Sequence, residues 1–85
     1  MGALEKALDR IDSLPKDYNF TEAVSLMRRL GFEVMNKGKT SGSRIKFYRS
    51  SDGAAINLHK PHPQDEMKPY AVKQLRDFLK ELGEL

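Results

Sequence analysis

The amino-acid sequence predicts an α+β fold in which helices pack on the apolar face of a three-stranded antiparallel sheet. Two six-residue segments, "RIKFYR" and "AAINLH", alternate polar and apolar residues as half-buried strands do. The turn sequence "SSDG" joins them, which is typical of a β-hairpin. Three other segments carry apolar residues at the spacing of amphipathic helices. The predicted element order is α-α-β-β-β-α, and 85 residues make one domain.

The first two helices are predicted from apolar spacing and from the residues at their ends. The first helix ends before Pro15, which stops it. The second helix begins near Thr21 as its N-cap, has Glu22 in its first turn, and ends at Gly31. The apolar positions of these two helices are Leu4, Leu8, Ile11, Leu14, Ala23, Val24, Met27 and Leu30.

The last helix is predicted to begin at Pro69, because proline at the first helical position loses no hydrogen bond, and to end at Gly83. Its exposed side carries Lys73, Arg76 and Lys80. The residues on its buried side are Val72, Leu75, Phe78, Leu79 and Leu82.

The strand "FEVM" precedes the hairpin, and the hairpin admits two registers. A turn centred on residues 51 and 52 places Arg44 opposite His59. A tighter turn at residues 52 and 53 places Lys46 opposite His59 instead. Both registers leave His59 on the exposed face of the sheet, because a slip that exchanged the two faces would bury cations.

Basic residues are concentrated in one part of the chain. Residues 36–60 hold six lysines and arginines against one acidic residue, Asp52, although the net charge of the whole chain is only +3. The six are Lys37, Lys39, Arg44, Lys46, Arg49 and Lys60. Such a local excess is expected of a surface that binds phosphate, and it is also compatible with an ordinary solvated surface.

The hairpin is predicted to gather side chains that are suited to RNA cleavage. Because the reference pKa of histidine is about 6.5, His59 can take a proton from a ribose 2′-OH or give one to the leaving 5′-oxygen. Cations beside it would stabilise the charge that develops on phosphorus, and Tyr48 would stack on a base or donate a hydrogen bond to a phosphate. The other residues predicted to bind RNA are Arg44, Lys46, Asn57, Lys37 and Lys39. A histidine at a strand end beside prolines is also often structural or simply a surface residue.

Other kinds of site fit the sequence poorly. The chain has no cysteine, which excludes disulfides and thiolate metal sites. His59 and His62, with Asp65 and Glu66 nearby, lack a specific metal-ligand spacing, so neither a metal nor a cofactor is expected. The segment "GKTSGS" lacks the spacing of a nucleotide-binding loop. No signal peptide or transmembrane helix is predicted, which suggests a cytoplasmic protein.

Four pieces of the sequence, in their order, resemble the HicA family, the small toxins of type II toxin–antitoxin pairs. They are "FTEAVSLMRRLGFE", "NKGKTSGSRIKFY", a return strand that ends in "LHKPHP", and "EMKPYAVKQLRDFLKEL". The resemblance covers residues 20–82. It implies a fold like a double-stranded-RNA-binding domain, with residues 18–85 as the family core and residues 1–17 as an additional N-terminal helix. It also implies metal-independent cleavage of mRNA and a HicB antitoxin that covers the active face.

The sequence departs from the family pattern at one important position. In typical family members the catalytic histidine directly follows the Gly-Ser at the start of the second strand, but here that position is Arg44. Gly42 and Ser43 match the motif, which implies a role in loop geometry and phosphate contact. Either His59 supplies the proton transfer from the neighbouring strand, or cleavage is lost and binding is retained. His62 resembles a histidine that family members often carry after the third strand, which makes it a second catalytic candidate.

Three functional hypotheses follow. The first is an RNA-cleaving toxin with His59 as general acid or base. The second is a non-catalytic module that binds double-stranded RNA, but the contacts of such a module come largely from a helix N-terminus and a loop, whereas the basic residues here concentrate on the sheet and its adjoining loop. The third is a partner protein whose basic face docks an acidic antitoxin and has little affinity for RNA.

Overall fold

The computed structural model describes residues 2–35, 44–61 and 64–85 of the chain. It contains three helices and three strands in the predicted order, which confirms the α+β fold and the three-stranded antiparallel sheet. The elements are α1 (Ala3–Asp12), α2 (Phe20–Arg29), β1 (Glu33–Met35), β2 (Arg44–Arg49), β3 (Ala54–His59) and α3 (Pro69–Glu81). Strand β2 lies in the centre of the sheet, between β1 and β3.

The hairpin adopts the first of the two predicted registers. Arg44 lies opposite His59, and Arg49 lies opposite Ala54, so a four-residue loop joins β2 to β3. The N–H of Gly53 donates to the carbonyl of Arg49 at 2.8 Å, and Gly53 has a φ of 73°. Only glycine adopts that left-handed conformation at little cost, which explains why the loop ends with this residue. The alternative register, with Lys46 opposite His59, was wrong.

The core lies between one face of the sheet and the helices. Phe47 at the centre of β2 is fully buried, and its ring centroid lies 6.1 Å from that of Phe20 on α2. All the buried side chains of the described residues belong to the hydrophobic class. This core includes residues from each helix: Ile11, Phe20, Ala23, Leu26, Met27, Ala71, Val72, Leu75 and Leu79.

Helix α1 is joined to the rest of the fold by packing and by an ion pair. Ile11 is fully buried in the common core. Arg10 donates from Nη2 to the Glu22 carboxylate of α2 at 3.0 Å. This hydrogen bond is the main cause that lowers the pKa of Glu22 below its ordinary value.

The first helix ends earlier than predicted, and Leu14 was wrongly assigned to its buried face. Helix α1 ends at Asp12, and Leu14 is 37% exposed with a φ of 54°. The following Pro15 explains this ending, because proline disfavours the right-handed helical conformation in the residue before it.

The start of α2 also differs from the prediction. The N-cap is Asn19, whose N–H donates to the Glu22 carboxylate at 3.1 Å. Thr21 lies inside the helix, and its hydroxyl donates to the Asp65 carboxylate at 2.6 Å. At the other end of α2 the C-cap is Leu30, and Gly31 follows it with a φ of 94°, which confirms the predicted glycine at the end of this helix.

Helix α3 begins at Pro69 as predicted, with Lys68 as its N-cap. Its predicted apolar side faces the core, but Arg76 is not part of a fully exposed stripe. The side chain of Arg76 is 18% exposed, and its guanidinium lies 3.6 Å from Asp12 on α1 and 2.9 Å from Asp77. No helix in the part of the chain that the structure describes is long and apolar enough to cross a membrane.

Candidate functional site

The sheet has an outer face that is cationic at the end where β2 begins and β3 ends. Alternation along β2 sends Ile45 and Phe47 into the core, so Arg44 and Lys46 lie on the opposite face. The antiparallel pairing places His59 directly opposite Arg44. Directly opposed residues on one face have Cβ atoms about 4.5–5.5 Å apart, so the two side chains are near neighbours.

The two cations on this face are available for a ligand. Arg44 is exposed and Lys46 is partly exposed, and no ion pair among the described residues involves either of them. Lys46 Nζ lies 5.9 Å from the ring centroid of Tyr48, within the range of a cation–π contact.

Arg49 was counted with the phosphate-binding cations, but the structure gives it a different role. Its side chain is only 12% exposed. It pairs with the carboxylates of Asp52 at 2.8 Å and Glu84 at 3.0 Å, and it donates to the carbonyl of Leu30. Its guanidinium also lies 4.7 Å from the ring centroid of Phe32. Arg49 therefore joins the hairpin to the C-terminal end of the chain.

A groove with a volume of about 610 Å³ lies at the edge of the sheet, between β3 and the beginning of α3. Three residues predicted from the sequence line it: Arg44, Asn57 and His59. Lys46 and Tyr48 do not line the groove, and they lie beside it on the outer face of the sheet. The remaining predicted residues, Lys37, Lys39, Gly42, Ser43 and His62, lie outside the described residues.

Residues 64–68, the segment just before α3, form part of the groove and are anchored to the start of α2. Phe20 N–H donates to the carbonyl of Asp65 at 2.7 Å, and Met67 N–H donates to the carbonyl of Tyr18 at 2.8 Å. The Asp65 carboxylate accepts hydrogen bonds from Thr21, so it is already occupied. These contacts hold the segment in place beside the groove.

The sequence interpretation missed several residues of the groove. Tyr70 lies in the first turn of α3 and is 66% exposed. Gln74, one turn later, donates to the backbone carbonyl of Asn57 at 3.5 Å and so connects α3 to β3. The other missed polar residues are Gln64, Glu66 and Lys68, whereas Lys60, which also lines the groove, was counted among the basic residues of the sequence. Tyr70 does carry a sequence signal, since it stands outside the apolar stripe of its helix.

The described residues include no group of three histidine, cysteine, aspartate or glutamate side chains that could hold a metal ion. What the groove offers is a histidine, several cations and amide groups around an apolar floor. The floor includes Leu58, Met67 and Ala71, each at most 8% exposed. This combination suits a ligand that carries both a flat ring and a phosphate.

The fold and the groove define a small α+β protein with a cationic surface that bears a histidine. A family model described as the HicA toxin of bacterial toxin–antitoxin matches residues 20–84, from the first residue of α2 to the residue before the C-terminus. The chain therefore belongs to the HicA toxin family. No curated protein and no solved structure matches the chain. Helix α1 lies before the matched region.

Proposed function

We propose that the protein is an endoribonuclease that cleaves mRNA without a metal ion, and that a HicB-type antitoxin neutralises it. Membership of the HicA toxin family supports this proposal. The observation that carries it is the pairing of Arg44 with His59. Where family members have a catalytic histidine, this chain has Arg44, and the neighbouring strand provides an imidazole directly opposite.

In this mechanism His59 moves the proton. It takes the proton of a ribose 2′-OH, which then attacks the adjacent phosphorus, or it gives a proton to the 5′-oxygen as the P–O bond breaks. Arg44 lies beside it and stabilises the additional negative charge on the phosphoryl oxygens. His62 is the second candidate for proton transfer.

RNA binding extends beyond the groove in this proposal. Lys46 and Tyr48 contact the RNA from the outer face of the sheet, next to Asn57 of the groove. Lys37, Lys39, Gly42 and Ser43, which precede β2 in the sequence, contribute phosphate contacts in this proposal. The same cationic face would attract an acidic antitoxin in the cytoplasm.

The domain organisation is part of the proposal. Residues 18–85 form a core like that of a double-stranded-RNA-binding domain, and residues 1–17 add a helix to it within a single domain. The burial of Ile11 and the pair between Arg10 and Glu22 support this arrangement.

The test is incubation of the purified protein with labelled mRNA in EDTA, alongside His59→Ala and His62→Ala. The proposal predicts cleavage by the unaltered protein and its loss in His59→Ala. Because His59 is exposed, its replacement by alanine should leave the fold intact, which circular dichroism would check.

A second candidate function is a non-catalytic RNA-binding module. The arginine at the usual histidine position favours it, because Arg44 cannot act as a general base at neutral pH. RNA binding without cleavage in the same assay would support this candidate and refute the first.

A further inference from the structure

The ring of Tyr70 lies at the groove, and packing in the core does not explain its position there. Among the described large hydrophobic residues it is the most exposed, at 66%, whereas Leu14 and Met35 are each 37% exposed. Its neighbours Ala71 and Val72 are buried in the core, so α3 is anchored without Tyr70. A single exposed aromatic residue is unremarkable on a plain surface, but this one lines the same groove as His59.

The groove supplies three kinds of contact that a nucleotide needs. Tyr70 offers a flat ring on which a base can stack. Gln64 and Glu66 offer hydrogen-bond acceptors, and Gln64 also offers a donor, for the edge of a base. Arg44 and Lys68 offer positive charge for phosphate. The volume of about 610 Å³ lies within the range of small-ligand sites.

We propose that the groove is a nucleotide subsite in which Tyr70 stacks on a base of the RNA substrate. This inference rests on the proposed function, because it places that base beside the phosphate held by Arg44 and His59. A base that stacks on a protein side chain and exposes its edge to Gln64 and Glu66 cannot at the same time be paired in a duplex. The substrate class is therefore RNA with an unpaired base at the cleavage site.

The test uses Tyr70→Trp, which introduces the single tryptophan of the chain. Its fluorescence is titrated with a single-stranded 2′-O-methyl oligonucleotide, which has no 2′-OH nucleophile and so is bound without being cleaved. The subsite predicts that the single strand quenches the fluorescence by stacking, and that the same sequence in a duplex does not. Equal quenching by the duplex, or no quenching by the single strand, would overturn the subsite.

Two further variants separate the ring from the hydroxyl. Tyr70→Ala should weaken binding of the same oligonucleotide by roughly 5- to 150-fold, which is the range for loss of one base stack. Tyr70→Phe keeps the ring and should bind within about twofold of the unaltered protein. Both variants should keep the melting temperature, since the side chain is exposed.

The failure of the subsite and the failure of the proposed function give different results. Cleavage that depends on His59, together with unchanged affinity in Tyr70→Ala, would overturn the subsite and leave the ribonuclease standing. Quenching of Tyr70→Trp by the single strand, with no cleavage of RNA by the unaltered protein, would support the subsite and refute the ribonuclease.

Discussion

Arg49 and Arg44 lie on the same strand, yet their replacement by alanine should have opposite consequences. Arg49→Ala should lower the free energy of unfolding by about 3.5 kcal/mol and leave the affinity for RNA unchanged. Arg44→Ala should change the free energy of unfolding by less than about 0.5 kcal/mol and weaken RNA binding. The difference follows from burial, because Arg49 is 12% exposed and faces the core side, whereas Arg44 lies on the outer face.

The magnitude for Arg49 comes from its contacts. Its Nη1 donates to the carbonyl of Leu30 and to the carboxylate of Glu84, each at 3.0 Å, and a hydrogen bond that involves a charged group contributes about 1.5–3 kcal/mol. Its stacking on Phe32 adds about 0.5–1 kcal/mol. The pair with Asp52 adds little, because the aspartate side chain is 43% exposed.

Urea denaturation measures the change in stability, and RNA binding is measured at several salt concentrations. Arg44→Ala should reduce the slope of log K against log salt by about 1, which is the effect of one lost phosphate contact, and Arg49→Ala should not change it. A loss of less than about 1 kcal/mol in Arg49→Ala would refute the contact argument. A reduced salt slope in Arg49→Ala would place this residue on the RNA surface after all.

Three other predictions concern the sheet face, an ion pair and a helix end. Lys46→Glu should weaken RNA binding and reduce its salt dependence. Glu22→Gln should destabilise the protein at pH 7, and the difference should shrink as the pH falls below 4.5, the ordinary pKa of this carboxyl, because Arg10 lowers the pKa of Glu22 in the folded state. Gly31→Ala should cost about 1 kcal/mol or more, because the φ of Gly31 is 94°.

Each of these predictions has a control and a contradicting result. Lys6→Glu makes the same charge change on α1 and should affect RNA binding less; equal effects would mean that only net charge matters. A difference between Glu22→Gln and the unaltered protein that is as large at pH 3 as at pH 7 would refute the ion-pair explanation. At Gly31 an added Cβ would lie 3.5 Å from Arg49 Cδ, an ordinary contact, so an unchanged denaturation midpoint would show that the backbone is not strained.

Local patterns predicted the sheet well because they reflect local physics. Alternation in β2 and β3 placed Phe47 and Leu58 inside and Arg44 and His59 outside, as the structure confirms. The register could not be chosen from the sequence alone, since a four-residue loop and a tighter turn both keep the faces correct. The structure has the four-residue loop, with Gly53 in the left-handed conformation at its end.

Features that depend on distant parts of the chain were not predictable in the same way. Threonine is a residue type that often caps helices, but the hydroxyl of Thr21 donates instead to the carboxylate of Asp65, 44 residues away in the sequence. Arginine is a residue type that often binds phosphate, but in the folded chain Arg49 donates hydrogen bonds to the carboxylate of Glu84 and the carbonyl of Leu30. Only the groove residues on β2 and β3 were predicted, because the hairpin pattern brings those two strands together. The residues of α3 join the groove through the packing of this helix beside β3, which no local sequence pattern shows.

The central claim is that the imidazole of His59 takes part in RNA cleavage. The most direct test measures, on one RNA, both the dissociation constant and the single-turnover cleavage rate for the unaltered protein and for His59→Ala. We predict that the rate falls by about 100-fold or more, as expected when a general acid or base is lost, while the dissociation constant stays within a few-fold. An unchanged rate, or a rate that falls only in proportion to weaker binding, would contradict the claim.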